Sequence, residues 1–545
     1  MKKAIPLGVV DYEALRRENY YFVDKSMIIY DFLTRKSTAT LITRPRRFGK
    51  TINMSMMAEF FDITKDSKEL FKDTKIMNTE YASEMNQYPT IFISFAEAKK
   101  SKIEIIQRIK EQLQNEYDRY SHIFHDLTEF ERSNYEKIKN GLIHSDDGNL
   151  TNAATALSFL LKLLEKYYNK KVMVFIDEYD TPFIEAHVGG FYEEIRGGLS
   201  SILHNALKTS TSLQYAMLTG IQRVAKENIF SDLNNLVVCT VKDPEYSQYF
   251  GFTEEETKQV LEYYDLTLSD EVKAMYDGYH FGDYEIYNPW SVLNYASRKM
   301  LEPYWVNTSG NIMIKKAMSN SDNSFNKEYE ELIRTGKIET IVKLDTSFYE
   351  INSISCLWGL LVNVGYLTIE SVVSILRGRY VLRIPNQEIR KDFQNLTSYY
   401  LEVSDEALDN MFEGLIINNK EKFLQNYKKI LLTLPSYHDL KDENSYHMMI
   451  LGMCAWLSND YEIISNREVG TGRCDIVLKA KKDNQTSYIL EFKYTKDSSV
   501  DLKELTKVAI HQIRERQYDT ELTGKVIYIG LAHYQKEVEI EWVEK

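Results

Sequence analysis

The first third of the chain follows a recurring rhythm of short apolar runs and helically spaced stretches. The runs are TATLITR (38–44), TIFISF (90–95), KVMVFID (171–177) and LQYAMLTG (213–220). Apolar, β-branched runs of this length joined by helices predict a parallel sheet covered on both faces. Residues 100–170 are charged and helical in spacing, as in IIQRIKEQLQNEY, with a loop-like HSDDGNL near the middle, and are expected to cross the sheet as helices. From about 230 to 340 the chain is rich in Asn and Tyr, as in MYDGYHFG and IYNPWSVLNYA, without a strong strand pattern. A small helical lid is expected there.

Residues 353–389 place an apolar helix ahead of two strand-like runs, YLTIE and RYVLRIP. That is the order of a winged helix, although a structural spacer is the commoner use of such a segment. Beyond about 435 the order is helix (SYHMMILGMCAWL), strand (YEIISNREV), strand (GRCDIVLKA), strand (SYILEFKY), helix (LTKVAIHQIRERQY) and strand (KVIYIGLA). The expected fold class is therefore a multidomain α/β protein. Its divisions are an α/β core at 1–230, a helical lid at 231–340, a winged-helix-like or helical linker at 341–434, and a second α/β domain at 435–545.

Length and composition refine this picture. At 545 residues the chain exceeds what one hydrophobic core usually supports. An apolar content of 43% with only 9 prolines and 23 glycines describes a globular protein without low-complexity tails. The formal charge of −13 argues against a uniformly basic nucleic-acid binder, yet a local basic groove can still attract phosphates. Cys239, Cys356, Cys454 and Cys474 lie far apart without paired ligand spacing, which argues against a disulfide framework or a zinc site. The polar start MKKAIPLGVVDYEALRREN lacks the apolar region of a signal peptide, and ISCLWGLLVNVGYL from Ile354 is too short to span a bilayer. A cytoplasmic protein without a membrane partner is expected.

Candidate chemistry begins in LITRPRRFGKTINMSM (41–56). A phosphate-binding loop needs successive backbone N–H groups facing one anion, a lysine for the outer phosphates, and a hydroxyl for Mg²⁺ at a helix start. Gly49, Lys50 and Thr51 supply these at a strand-to-helix turn, but Arg44 stands where the first glycine is usual. A bare Gly-Lys-Thr recurs by chance, so a second half is required. It is found in KVMVFIDEYDTPF, where Asp177 could hold Mg²⁺ and Glu178 could polarise water. Arg46 and Arg47 could neutralise phosphate charge, bind a nucleic acid or sit solvated beside the loop.

RPRRFGKT, VFIDEYD, the early YFVDKS and TGIQRVAKENIFSDLNNL resemble the AAA-ATPase-like proteins widespread in bacteria, over approximately residues 5–310. The resemblance implies a P-loop NTPase core using ATP and Mg²⁺, and in that family the first loop glycine is commonly replaced as it is here. It also offers Thr219 as a polar sensor of the γ-phosphate and Arg223 as a charge stabiliser. A buried cap and a surface salt bridge account for these two equally well.

In the C-terminal domain, Glu491 and Lys493 share one face of a strand by the two-residue period. A hairpin through KKDNQT would bring Asp475 beside Glu491. Two carboxylates could then hold a divalent ion, Mg²⁺ or Mn²⁺, while Lys493 orients or activates water for phosphodiester cleavage. With its order of elements, this stretch resembles the PD-(D/E)XK nuclease superfamily over about residues 435–535. Members often add an acid on the first helix and a polar residue on the helix after the third strand; Glu443, Gln512 and Tyr518 stand where those would fall. Lys479, Lys481, Lys482, Arg514 and Arg516 are expected near this centre and could follow a phosphate backbone. AAA-ATPase-like proteins frequently carry such a nuclease-like domain, so the pairing strengthens both readings.

The resulting expectation is an ATP-binding and ATP-hydrolysing protein whose nucleotide state controls a metal-dependent nuclease acting on nucleic acid, DNA favoured, with room for a homo-oligomer. The alternative is a regulatory ATPase or interaction protein whose nuclease-like domain binds without cutting.

Overall fold

The computed structural model describes residues 2–143, 148–224, 235–305, 325, 328–329, 331–332, 335–346, 353–390, 403–433, 443–457, 460–465, 468–469, 472–482, 484–520 and 522–545. The start of HSDDGNL and most of AKENIFSDLNN therefore lie outside the described residues, as do the side chains of Glu443 and His447. Two compact units are present: 1–317 with 339–389, and 318–338 with 390–545.

The first unit is built on a five-stranded sheet of β1 (Ala39–Thr43), β2 (Thr90–Ser94), β3 (Val172–Asp177), β4 (Leu213–Gly220) and β5 (Leu236–Cys239), in the order β2-β3-β4-β1-β5. Every neighbouring pair is parallel. β1 and β3 are buried along their whole length, which explains why they read as continuous apolar runs rather than alternating ones. Helix α1 (Lys50–Phe61) follows β1 directly, and α2 (Lys102–Arg119), α3 (Glu129–Ile143) and α4 (Ala156–Tyr168) form the expected crossover between β2 and β3. The register pairs Ile42 with Thr219 and Ile176 with Leu218, so the carboxyl ends of β1, β3 and β4 lie side by side. In open α/β sheets that edge is where ligands bind.

The reading of 230–340 as lacking strand pattern is corrected. Leu236–Cys239 extends the parallel sheet, and Tyr279–Phe281 pairs antiparallel with Tyr284–Ile286. These runs of three or four residues are too short for a period to register in sequence. Phe252, Val260, Leu261, Tyr276 and Val292 form a small core here, and Tyr21 and Val23 from the N-terminal segment pack against it. Helix α5 (Pro289–Arg298) starts at an Asn288 cap whose side chain accepts from the N–H groups of Trp290 and Ser291. Helix α6 (Ile354–Val364) ends at Gly365 with φ 101°, and is followed by the antiparallel hairpin β6 (Thr368–Ser374) and β7 (Arg379–Arg383). The helix-then-hairpin order is thus observed; order alone does not make a winged helix.

The second unit holds a mixed sheet of β8 (Tyr461–Ser465), β9 (Ile476–Ala480), β10 (Ser487–Tyr494), β11 (Val526–Tyr534) and β12 (Glu537–Glu544), in that order. Only β10 and β11 run parallel. β12, with its alternating EVEIEWVE, adds an edge strand to those read from the sequence. Helices α7 (Asp405–Ile416), α8 (Lys420–Thr433) and α9 (Glu443–Cys454) share one core with this sheet, through Met411, Phe412, Tyr427, Ile450, Leu490 and Ile529. Helix α10 (Leu502–Glu515) packs on β11, where Gly530 lets it approach: a Cβ there would stand 2.5 Å from the Thr506 carbonyl oxygen. All four cysteines are buried and unbridged. Among the described residues no helix is long and apolar enough to cross a membrane.

Candidate functional sites

At the carboxyl end of β1 the chain turns through RPRRFG before entering α1. Arg47 and Gly49 adopt left-handed φ values of 71° and 78°, the alternation that turns N–H groups inward around an anion. Gly49 caps α1, whose N-terminus adds a favourable field for negative charge. Lys50 is buried, and its ammonium donates to the carbonyls of Arg44 (3.0 Å) and Pro45 (2.8 Å). Burial pulls its pKa down, while the carboxylates of Glu178, Asp177 and Asp180 act in the opposite direction.

Thr51 donates to Asp177 Oδ2 at 2.7 Å, and Thr219 donates to Asp177 Oδ1 at 2.6 Å. Three sequence-selected residues from α1, β3 and β4 are therefore brought together. Asp177 is fully buried, and burial pushes its carboxyl up against the pull of the Thr219 hydrogen bond. Glu178 sits at φ 49°, a conformation a non-glycine residue adopts only when its surroundings enforce it, and accepts from the Thr181 hydroxyl at 2.9 Å.

Asp180 escaped the sequence reading, although it is the third acid of IDEYD. It is buried and accepts from the N–H groups of Ile221 and Gln222, both at 2.8 Å, so it fixes the turn after β4. Burial pushes its carboxyl up to about 6. Gln222 in the same turn is fully buried, with both amide atoms lacking a hydrogen-bond partner.

Arg44 does not enter a phosphate cradle. Its guanidinium is fully buried and donates to the carbonyls of Thr43 (2.8 Å), Cys239 (3.1 Å) and Glu245 (3.4 Å), between the rings of Phe250 and Phe281. Phe48 is likewise buried, in edge contact with Tyr279. Arg47 is exposed, lies 4.5 Å over the Trp290 ring and donates to the Tyr304 carbonyl. Arg223 pairs with Asp345 at 2.9 Å and is not among the residues lining the cavity beside the loop.

That cavity, about 520 Å³, is lined on one side by Arg46, Gly49, Lys50, Thr51, Lys99 and Glu178. Its other walls come from Pro6, Val9, Tyr12 and Phe22 of the N-terminal segment and from Phe252, Trp290 and Leu293 beyond the sheet. A charged floor with largely apolar walls suits a ligand with a phosphate tail and a planar apolar head. Nothing in the local sequence marks these walls, because they converge from segments more than 200 residues apart.

In the second unit, β9 and β10 pair with Ile476 opposite Leu490, which sets Asp475 beside Glu491. Asp475 Oδ2 accepts from the Phe492 N–H at 2.8 Å. Glu491 Oε1 accepts from Lys493 Nζ at 3.3 Å and from Gln512 Nε2 of α10, and the Gln512 amide also reaches the Tyr518 hydroxyl at 3.4 Å. Asp475, Glu491, Lys493, Gln512 and Tyr518 thus form one cluster. Glu491 is 2% exposed and its Oε2 has no hydrogen-bond partner. Burial, then the neighbouring Asp475 charge, pushes its carboxyl up to about 8. Burial also raises Asp475. Two crowded carboxylates with an open buried oxygen fit a divalent cation. Among the described residues no group of three or more His, Cys, Asp or Glu side chains is gathered.

The basic residues divide. Arg514 and Arg516 are exposed, two and four residues beyond Gln512. Lys481 and Lys482 instead lie past the far end of β9, six and seven residues from Asp475, or roughly 20 Å at strand rise, so they are not gathered at the cluster. Lys479 lies opposite Glu462, near that far end.

Each centre lies within a stretch that matches a known family. Residues 6–230 match the AAA-ATPase-like family, described as predicted AAA-ATPase, and residues 441–543 match the PD-(D/E)XK nuclease superfamily. Both resemblances drawn from the sequence are thereby shown, the first over 6–230 of the 5–310 for which it was drawn and the second over 441–543. Among curated proteins, one described as an uncharacterized protein in the vnfD 5′ region of Azotobacter chroococcum mcd 1 is 28% identical over 401 residues, covering 71% of this chain and 69% of its own.

Proposed function

We propose that the protein binds and hydrolyses ATP with Mg²⁺ in its first unit, and that the nucleotide state governs metal-dependent cleavage of nucleic acid, DNA favoured, by its second. The observation that carries the reading is the pair of independently assembled clusters, Lys50–Thr51–Asp177–Thr219 and Asp475–Glu491–Lys493–Gln512.

In the first, Lys50 would exchange its loop carbonyls for the outer phosphates, with Arg46 adding charge at the cavity wall. Thr51 and Asp177 would hold Mg²⁺, which supplies charge neutralisation for the leaving phosphates. Thr219 fixes Asp177 through its hydroxyl, and would sense a γ-phosphate through that carboxylate. Glu178 would polarise the attacking water. Arg223, held by Asp345, would contribute charge only after leaving that partner. In the second cluster, Asp475 and Glu491 would hold Mg²⁺ or Mn²⁺, with Glu443 as a further ligand, and the ion would supply Lewis-acid polarisation of the phosphodiester. Lys493 would orient the attacking water, while Gln512 and Tyr518 hold Glu491 in place.

The test uses purified protein with labelled duplex and single-stranded nucleic acids, with and without ATP and Mg²⁺ or Mn²⁺. Calorimetry should show ATP binding by the parent and its loss in Lys50→Ala. Glu178→Gln should bind ATP but release phosphate about 10²-fold more slowly. Cleavage should vanish in Asp475→Ala, Glu491→Ala and Lys493→Ala. Cleavage that survives all three would place the chemistry elsewhere, and absence of cleavage in the parent under every condition would leave a binding domain.

A further inference from the structure

Hydrolysis of a nucleoside triphosphate spreads negative charge over the terminal phosphate, and its catalysis is largely a matter of where cations are placed. Among the described residues lining the cavity, Lys25, Arg46, Arg47, Lys50 and Lys99 are cationic and Glu178 alone is acidic, an excess that suits a polyanion. Most of these charges are already committed. Lys25 pairs with Glu256 at 2.6 Å, and Arg47 is held by the Trp290 ring and the Tyr304 carbonyl. Lys50 and Arg46 both stand on the loop, at the β1 end of the sheet edge. Arg223, tied to Asp345, does not line the cavity.

Lys99 supplies the other side. The sheet runs β1, β4, β3, β2, so its carboxyl edge passes from the loop through Thr219 to Asp177 and Glu178, and then to the segment after β2. That segment is fixed against the site. Ser94 pairs with Asp177 in the parallel register, and the Phe95 N–H donates to the Asp177 carbonyl at 3.0 Å. Phe95 and Ala98 are buried, and the Ala98 N–H donates to the Phe95 carbonyl at 3.0 Å. Residues 99–102 then read KKSK. Lys100 takes a left-handed φ of 76°, and Ser101 opens α2 in a capping box with Glu104. This turn separates the three lysines. Lys100 pairs with Glu104 at 3.7 Å and Lys102 with Glu194 at 3.9 Å, whereas Lys99, partly buried, lines the cavity with Lys50, Thr51 and Glu178. Lys99 has no ion-pair partner among the described residues, so its ammonium is available to an anion lying beyond Asp177 and Glu178.

We propose that Lys99 is a catalytic residue of the first site: its ammonium binds the terminal phosphate from the side opposite the loop and neutralises the charge that grows there. The water oxygen bonds to the γ-phosphorus as the bond to the β–γ bridging oxygen breaks. The electron pair leaves with ADP, and the water's proton passes by way of Glu178 to the released phosphate. The proposal rests on the reading of this site as an ATPase.

The experiment pairs phosphate-release kinetics with calorimetry of ADP and of the β,γ-imido analogue of ATP, all with Mg²⁺, on the parent, Lys99→Met and Lys100→Ala. Methionine keeps the aliphatic stem and drops the charge, and equal melting temperatures report intact folding. Lys99→Met should lower kcat about 10²-fold. It should bind the triphosphate analogue about ten-fold more weakly and ADP as tightly as the parent does. Lys100→Ala should match the parent throughout. A parent-like kcat in Lys99→Met would overturn the proposal while leaving the ATPase reading in force. So would an equal loss of affinity for ADP and the analogue, or an equal fall in Lys100→Ala, because a diffuse positive field acts on every phosphate and from every nearby lysine. A parent that binds neither nucleotide would overturn the ATPase reading and the proposal with it.

Discussion

Single residues decide whether each site is chemically credible. Arg44, the departure from the usual loop, is a structural residue: its guanidinium satisfies three carbonyls in the interior and leaves the cradle to backbone N–H groups. Restoring the usual glycine should therefore destabilise the protein. Arg44→Gly is expected to cost about 3 kcal/mol, from the vacated volume and the orphaned carbonyls, read as a lower urea midpoint at unchanged slope. An unchanged or higher midpoint would contradict the assignment. Glu491 makes a pH-dependent case. Its carboxyl is raised from the usual 4.5 to about 8, so the fold favours the protonated form. The stability this contributes is fully present below about 4.5 and is lost as pH rises through 8. Glu491→Gln carries no such charge. Without divalent cations the variant's melting temperature should gain on the parent's between pH 5 and pH 9, by roughly 2–4 °C for each kcal/mol relieved. Divalent cation at pH 9 should restore the parent but not the variant. A parent-to-variant difference that stays constant across this range would refute the crowded-carboxylate account.

Elements place these residues, and one glycine shows how. Gly530 lies opposite Glu491 in the parallel β10/β11 register and lets α10 close on the sheet, which carries Gln512 to Glu491. Gly530→Ala puts a methyl group against the Thr506 carbonyl, so the helix must shift. Cleavage should fall about ten-fold or more while ATP hydrolysis stays at the parent rate; a variant that cleaves normally would show that α10 does not position the cluster. The strand-loop-helix around Gly49–Lys50–Thr51, the acid pair ending β3 and the β9/β10 hairpin were legible in sequence because each is local: a periodic run, a turn and a residue at a strand end. The fate of Arg44 was not legible, since its partner carbonyl on Cys239 lies 195 residues away. The cavity walls at Tyr12 and Trp290 were hidden for the same reason. So was the packing of α7 and α8 with the C-terminal sheet, because an amphipathic stripe announces burial without naming what covers it.

At the scale of the whole molecule, the proposed control of cleavage by nucleotide requires that ATP act differently on two states of the protein. The loop is well tied to the rest of its unit: Phe48 meets Tyr279, Arg47 meets Trp290 and Tyr304, and Arg44 holds Cys239 and Glu245. Occupancy of the cradle can therefore be felt beyond the strands that build it. The most direct test is the rate of DNA cleavage against ATP concentration for the parent and Lys50→Ala, with free Mg²⁺ held constant so that chelation cannot mimic control. An ATP-dependent rate in the parent that becomes flat in Lys50→Ala is the predicted result. Equal, ATP-independent rates in both proteins would contradict the claim that nucleotide governs cleavage.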